Sequence, residues 1–111
     1  MKDLKISKEL IKNVLAKETE NLSDDFTFDI KDNYILFADE GECQFEVNIY
    51  EFAFKCKKWL LKNNIAFTLN YYNDNSVQFY CEKYHLDIES SSETETIIKS
   101  CKWIVELNNE K

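Results

Sequence analysis

The sequence predicts an α+β protein in which a single layer of about five mostly antiparallel strands carries three helices, packed mainly on one face. Segments in which apolar residues recur every three to four positions alternate with segments in which they recur every second position. The predicted order is α-β-β-β-α-β-β-α. With 111 residues, 44% of them apolar, the chain can bury one core, so a single domain spanning residues 1–111 is expected.

The first predicted helix covers residues 7–20. Ser7 is placed to cap the free amides of its first turn, and Ile6 and Ile11 occupy the two positions of a hydrophobic staple. The apolar residues of this segment form one stripe, which consists of Leu10, Ile11, Val14 and Leu15. The lysines of the helix are therefore expected to face solvent.

The first predicted strand follows from a period of two. Its apolar residues are separated by single polar residues and are Phe26, Phe28 and Ile30. Asp32 and Asn33 then supply a turn. Residues 34–38 are apolar on both faces, a pattern that is typical of a central strand.

The only glycine of the chain, Gly41, predicts a hairpin. Residues 39–41 are expected to form a three-residue loop that closes with Gly41 in the left-handed conformation, which glycine adopts without a steric penalty. The returning strand is expected to direct three alternating side chains inward, those of Cys43, Phe45 and Val47.

A second helix is predicted from Ile49 to about Asn63, because Asn48 and Glu51 have the spacing of a capping box. Its buried stripe is expected to consist of Ile49, Phe52, Ala53, Cys56 and Leu60. Its solvent side is expected to carry Glu51, Lys55, Lys58 and Lys62.

Two more strands and a helix complete the predicted fold. Alternating apolar residues predict strands over residues 65–71 and 77–81, with a turn at residues 73–75. Ser92 and Glu95 then have capping-box spacing for a third helix. The stripe of that helix consists of Ile97, Ile98, Cys101, Ile104 and Val105.

The face of the sheet away from the helices is expected to be mixed polar. Its expected residues are Thr27, Asp29, Gln44, Glu46, Thr68, Asn70, Tyr72, Gln78 and Tyr80. Because the chain has no proline to guard its strand edges, a homodimer through a sheet edge or face is an expected form of association.

The strongest functional clue is the uneven distribution of charge. Between Glu18 and Glu51 the chain carries eleven acidic residues and one lysine, although its net charge is only −7. Such a block repels itself unless it is solvated or meets a cationic surface. We therefore expect a small acidic binding protein, not an enzyme, that engages a basic protein partner in the manner of inhibitor, immunity or anti-defence proteins. The carboxylates expected to bind this partner are Asp24, Asp25, Asp29, Asp32, Asp39, Glu40, Glu42 and Glu46. A solvated surface that binds nothing is the alternative interpretation.

Four aromatic residues are further candidate contacts. Trp59 and Trp103 lie on the flanks of their helical stripes, while Tyr72 and Tyr80 are expected to point outward from the sheet. Bases stack on aromatic rings, so single-stranded nucleic-acid binding by the tyrosines is a third functional hypothesis. The negative net charge and the absence of arginine make nucleic acid an unexpected partner.

The second functional hypothesis is a small-ligand protein or enzyme with a pocket near Cys81 and His85, which an unbroken strand would place on one face. The four cysteines lack C-x-x-C spacing and fall at apolar positions, so they are expected to be buried thiols. With one histidine and one glycine, the chain lacks the common nucleotide and multi-histidine metal motifs. Neither a metal nor a cofactor is expected. Two metal alternatives are a zinc site in which Cys81 and His85 supply two of the ligands, and a divalent cation on Asp24, Asp25 and Asp29.

The lengths of the apolar runs predict where the protein is located in the cell. No apolar run reaches the length of a membrane-spanning helix, and the N-terminus lacks the apolar region of a secretory signal. A cytoplasmic protein without membrane contact is therefore expected.

Two segments carry a family resemblance. NIYEFAFKCKKWL, which begins at Asn48, and TETIIKSCKWIVE, which begins at Thr94, are similar to small uncharacterised proteins of phages and mobile elements in AT-rich bacteria. The resemblance covers the second half of the chain and implies no activity and no catalytic residues. The acidic region lies mainly outside it.

Overall fold

The structure, a computed structural model, describes residues 4–109. Within this range the helices are α1 (Lys8–Val14), α2 (Ala16–Thr19), α3 (Ile49–Lys62) and α4 (Glu93–Asn109). The strands are β1 (Thr27–Lys31), β2 (Tyr34–Asp39), β3 (Glu42–Asn48), β4 (Thr68–Tyr71), β5 (Val77–Cys81) and β6 (Leu86–Ser90). The α+β class is confirmed, but the strands form two antiparallel three-stranded sheets, so the predicted single layer of about five strands is wrong.

The predicted first helix is present as two shorter helices. Ser7 caps α1 as predicted, because its hydroxyl accepts a hydrogen bond from the Leu10 amide at 3.1 Å. Leu15 departs from helical geometry (φ −109°, ψ 40°) and separates α1 from α2. Its side chain is fully buried, so core packing overrides local helix propensity at this position.

The first sheet has the order β1-β2-β3, with β2 in the predicted central position. Phe28, Phe37 and Phe45 are aligned across the three strands on the inner face. The Phe37 and Phe45 rings stack with their centroids 4.6 Å apart. This face therefore supplies the aromatic part of the core.

A β-bulge shifts the register of β3. Phe37 pairs with Phe45, but Ala38 pairs with Cys43, so Gln44 is the extra residue. The shift turns Cys43 out of the core, and its side chain is exposed, so the predicted inward position of Cys43 is wrong. A strict period of two predicts the wrong side at such a point because the bulge adds one residue to one strand only.

The boundary and cap of α3 match the prediction closely. The Asn48 side-chain oxygen accepts hydrogen bonds from the Tyr50 and Glu51 amides at 2.8 and 3.4 Å. The buried residues of α3 are the predicted ones, Ile49, Phe52, Ala53, Cys56 and Leu60. The helix therefore packs one predicted stripe onto the core.

The second sheet, of order β4-β5-β6, contains a strand that the sequence analysis missed. Leu86 and Ile88 of β6 alternate with Asp87 and Glu89, and Phe79 of the central strand pairs with Ile88. The pattern has only five residues and follows a 3-10 turn at Glu82–Tyr84, without a glycine or proline to mark its start.

Helix α4 packs both against other helices and against the second sheet. The Ser92 hydroxyl accepts a hydrogen bond from the Glu95 amide at 3.2 Å, as the predicted cap requires. Its predicted stripe of Ile97, Ile98, Cys101, Ile104 and Val105 is entirely buried. It contacts α1, α3, β5 and β6, so its stripe lies at the centre of the core. No helix in residues 4–109 combines the length and apolar composition needed to cross a bilayer.

Candidate functional site

Acidic residues converge on the end of the first sheet at which β2 turns into β3. Asp39 pairs with Glu42, so the connecting loop has two residues, Glu40 and Gly41, and not the predicted three. Both loop residues have positive φ values, 54° and 80°. This tight turn holds Asp39, Glu40 and Glu42 at one tip.

The loop before β1 is tied to the same tip. The carboxylate of Asp39 accepts hydrogen bonds from the Ser23 amide at 2.8 Å and from the Ser23 hydroxyl at 2.5 Å. Hydrogen bonding from Ser23, first from its side chain and then from its backbone, lowers the pKa of Asp39. Asp24 and Asp25 follow Ser23 directly, so the loop carries two more carboxylates to the tip.

Asp24 is already neutralised in part by nearby lysines. Lys12 lies 3.8 Å from its carboxylate, and the Lys8 ammonium donates a hydrogen bond to its carbonyl oxygen at 2.5 Å. Its carboxylate is nevertheless fully exposed. The ion pair is therefore weak and leaves Asp24 accessible.

Asp29 and Glu46 lie on the outer face of the first sheet. Asp29 is opposite Leu36, and Leu36 is in turn opposite Glu46, so the two carboxylates flank one apolar side chain. With strands about 4.8 Å apart, the two acidic residues are roughly 10 Å from each other. Beside them is a shallow depression of about 260 Å³, lined by Leu36, Phe37, Cys43, Gln44, Phe45 and Glu46.

Asp32 does not join the others. It occupies the β1–β2 turn with Asn33, at positive φ, and this turn is at the opposite end of the sheet from Asp39. Seven of the eight predicted carboxylates thus occupy one end and one face of the first sheet. We call these residues the acidic surface, and they are Asp24, Asp25, Asp29, Asp39, Glu40, Glu42 and Glu46.

The four aromatic candidates lie elsewhere. Tyr72 and Tyr80 belong to the second sheet and are 46% and 41% exposed. Trp103 is about half exposed on α4, and the partly buried Trp59 lines a depression between α1, α2 and α3. The fold therefore does not bring the predicted aromatic contacts to the acidic surface.

The outward tyrosines belong to a polar network. The Tyr72 hydroxyl donates to the Gln78 side chain at 2.7 Å, and the Gln78 amide group donates to Asp87 at 2.8 Å. Asp87 pairs across the strands with Tyr80, which places a carboxylate beside the ring. A carboxylate here repels the phosphates that base stacking on these tyrosines would bring close.

Cys81 and His85 do not share a face. Strand β5 ends at Cys81, and the turn at Glu82–Tyr84 separates it from His85. Cys81 is fully buried, whereas His85 is exposed and has a left-handed backbone (φ 52°). The unbroken strand on which the pocket hypothesis depended is therefore absent.

Two features of the surface were not predicted from the sequence. The outward position of Leu36, between two carboxylates, depends on pairing with both neighbouring strands. Helix α3 also exposes the apolar residues Tyr50, Phe54 and Leu61, although only charged residues were predicted on its solvent side. Their spacing of four and seven residues was the available signal.

The part of the chain from residue 4 to residue 109 holds no group of three or more histidine, cysteine or acidic side chains that could bind a metal ion. Comparisons with family models, with curated proteins and with solved structures yield no match. Inference about function therefore depends on the surface chemistry.

Proposed function

We propose that this chain is a non-enzymatic binding protein that engages a basic protein partner through the acidic surface. An inhibitor, an immunity protein or an anti-defence protein acts in this way, by covering a cationic site of its target. The observation that carries the proposal is the clustering of carboxylates without a matching set of cations. Among the described residues, Lys12 is the only cation within ion-pair distance of an acidic-surface carboxylate, that of Asp24. The pKa of Asp39 is lowered first by the hydrogen bonds from Ser23 and to a smaller extent by the charge of Lys8.

The arrangement suits recognition of lysine and arginine side chains. A long basic side chain could lay its aliphatic stem along Leu36 while its charged end meets Asp29 or Glu46, which lie on either side. The carboxylates at the sheet end would meet further cations of the same partner. Contacts of this kind combine apolar burial with charge-assisted hydrogen bonds.

The electrostatic field adds a kinetic effect. Carboxylates of one sign, gathered on one end and face, steer an oppositely charged partner during encounter and raise the association rate. Added salt screens this attraction over a Debye length of about 10 Å at 0.1 M. Salt-sensitive association is therefore expected.

A charge-reversal experiment tests the proposal. The chain would be used as bait against a native-cell extract, captured proteins identified by mass spectrometry, and the association rate of the purified partner measured at low and high salt. The test variant reverses Asp25, Asp29, Glu42 and Glu46 to lysine. These four residues are exposed. Asp24 and Asp39 are left unchanged, so their contacts with Lys8, Lys12 and Ser23 are kept.

The matched control reverses four exposed acidic residues outside the surface, Glu9, Glu82, Glu89 and Glu106. Both variants change the net charge equally and reverse it at different places on the molecule. The control also removes two long contacts, from Ser76 to Glu89 at 3.5 Å and from Lys102 to Glu106 at 4.0 Å, so circular dichroism must show that it is folded. We expect a basic partner whose association rate falls about tenfold or more in the test variant and far less in the control. Unchanged binding of the test variant, or equal loss in both variants, would refute the proposal.

A further inference from the structure

Helix α3 is apolar on two sides, and only one of them is covered. Tyr50, Phe54 and Leu61 are 53%, 47% and 66% exposed. Their spacing places them along one side of the helix, away from the stripe that packs on the core. Large apolar side chains that are exposed along one side of a helix are typical of an interaction surface. We call these three residues the α3 stripe.

Two lysines border the α3 stripe. The Lys58 ammonium lies 4.8 Å from the centroid of the Phe54 ring, and the charge of Lys57 is compensated inside the chain. Lys57 lies 3.8 Å from the carboxylate of Glu93 at the start of α4. Glu93 also accepts a hydrogen bond from the hydroxyl of Tyr71, whose side chain is 63% exposed. Lys57 is therefore drawn toward Glu93, and Tyr71 extends the exposed apolar area beyond the helix.

The charges beside the α3 stripe have opposite signs at the two ends of the helix. Glu51 is in the first turn of α3, and Lys58 and Lys62 are near its last turn. Within residues 4–109 none of these three side chains forms an ion pair. The nearby Lys55 differs, because it is already paired with Glu18 at 2.9 Å.

We propose that two copies of this chain associate through their α3 helices, which pack antiparallel about a two-fold axis. In this arrangement Tyr50 of one copy faces Leu61 of the other, and the two Phe54 side chains lie close to the axis. Glu51 of each copy then lies near Lys58 and Lys62 of its neighbour. A parallel arrangement would instead place the charged flanks of the two copies on opposite sides of the contact, where Glu51 could not reach Lys58 or Lys62 of its neighbour.

A second copy fits this surface because the surface is complementary to itself. A two-fold interface requires each patch to match its own rotated image in shape and in charge. The α3 stripe meets that condition with apolar residues at both ends and with charges of opposite sign on the same flank.

The edge of β3 is less suited to self-association. The free edge of β3 carries a bulge and the exposed carboxylates Glu42 and Glu46, and both features oppose edge pairing. Helix α3 has 14 residues and is about 21 Å long, so a contact through it is smaller than a standard interface. We expect a dimer with a dissociation constant on the order of tens of micromolar.

Sedimentation equilibrium of the full chain, from about 1 μM to about 1 mM, measures this association directly. Leu61→Ala should weaken the dimer by roughly tenfold or more, since Leu61 contributes to both ends of a symmetric interface. Trp103→Ala is the matched control, because Trp103 is similarly exposed but lies on α4. It should leave the dimer unchanged.

Exchange of charges between the two ends of α3 tests the antiparallel arrangement independently. Glu51→Lys alone, and Lys58→Glu with Lys62→Glu, should each weaken the dimer by roughly tenfold, about threefold for each of two symmetry-related contacts. Combining all three substitutions should restore wild-type affinity. The substituted side chains are exposed, and circular dichroism checks that each variant is folded.

Three results would overturn the proposal. A chain that stays monomeric at every concentration would leave the α3 stripe to a different protein. Dimers that tolerate Leu61→Ala would place the contact elsewhere. A combined charge variant that associates no better than its parents would exclude the antiparallel arrangement.

Discussion

Asp39 holds Ser23 through two hydrogen bonds, one from the amide at 2.8 Å and one from the hydroxyl at 2.5 Å. The two residues are sixteen positions apart in the chain, so this contact joins the loop before β1 to the β2–β3 tip. A carboxylate of the acidic surface thus helps to build that surface. Removal of the Asp39 carboxylate is therefore expected to change the position of the loop before β1 more than the charge of the acidic surface.

Asp39→Asn should loosen the loop at Ser23. The folded-state pKa of Asp39 is lowered, so the stabilising bonds are fully present above the ordinary aspartate pKa of about 3.9 and are lost as pH falls through the lowered value. Amide hydrogen exchange of Ser23 at neutral pH should accelerate by about tenfold in the variant. Asp25→Asn, which removes the same charge nearby, is the control, and equal acceleration there would contradict the assignment.

The cysteines should divide into one fast and three slow thiols. Cys43 is exposed beside the bulge, whereas Cys56, Cys81 and Cys101 are fully buried. Burial also raises the pKa of Cys56, which disfavours its reactive thiolate. A thiol reagent should modify Cys43 at least about a hundredfold faster than the others in the folded protein. Rapid modification of Cys81 would instead revive the pocket hypothesis at that position.

Phe37→Ala should cost about 3–5 kcal/mol of unfolding free energy, because it empties a site in the aromatic core. Phe37 is 1% exposed and stacks on Phe45. Phe54→Ala is the control, since Phe54 is 47% exposed, and it should cost less than about 1 kcal/mol. Urea denaturation measures both values, and similar costs would mean that the inner face is packed differently.

The β2–β3 turn allows a test of backbone strain. Gly41 has φ +80°, and a Cβ there would meet no atom within 4 Å, so Gly41→Ala should cost about 1 kcal/mol from backbone strain alone. Glu40 has a left-handed backbone conformation (φ 54°), which glutamate disfavours and asparagine tolerates. Glu40→Asn should therefore stabilise the protein by about 0.5 kcal/mol. Thermal unfolding of both variants checks the opposite signs. Two shifts of the same sign would contradict the two-residue turn.

The local features of this fold were predictable from short stretches of sequence. Ser7, Asn48 and Ser92 each cap a helix through amides two or three positions ahead, and the stripes of α3 and α4 are buried as their spacing predicts. These features depend on contacts within a few residues, so neighbouring residues are sufficient to specify them. The acidic composition of the region from Glu18 to Glu51 is likewise a property of the sequence.

The sheet arrangement and the geometry of the acidic surface needed the tertiary structure. The outward turn of Cys43 depends on an extra residue opposite β2, and the division into two sheets arises because each strand pairs only with its neighbours in the chain while β3 and β4 do not pair. Asp24 and Asp25 approach the β2–β3 tip because Asp39 binds Ser23, while Asp32, equally acidic, stays at the far end. Local sequence is sufficient to specify which residues carry charge and where α3 and α4 form. The charges that share a surface are set by contacts between elements, such as the bonds that join Ser23 to Asp39 sixteen positions away. These contacts form only in the folded chain, because the chain entropy that they cost is compensated by packing of the whole core.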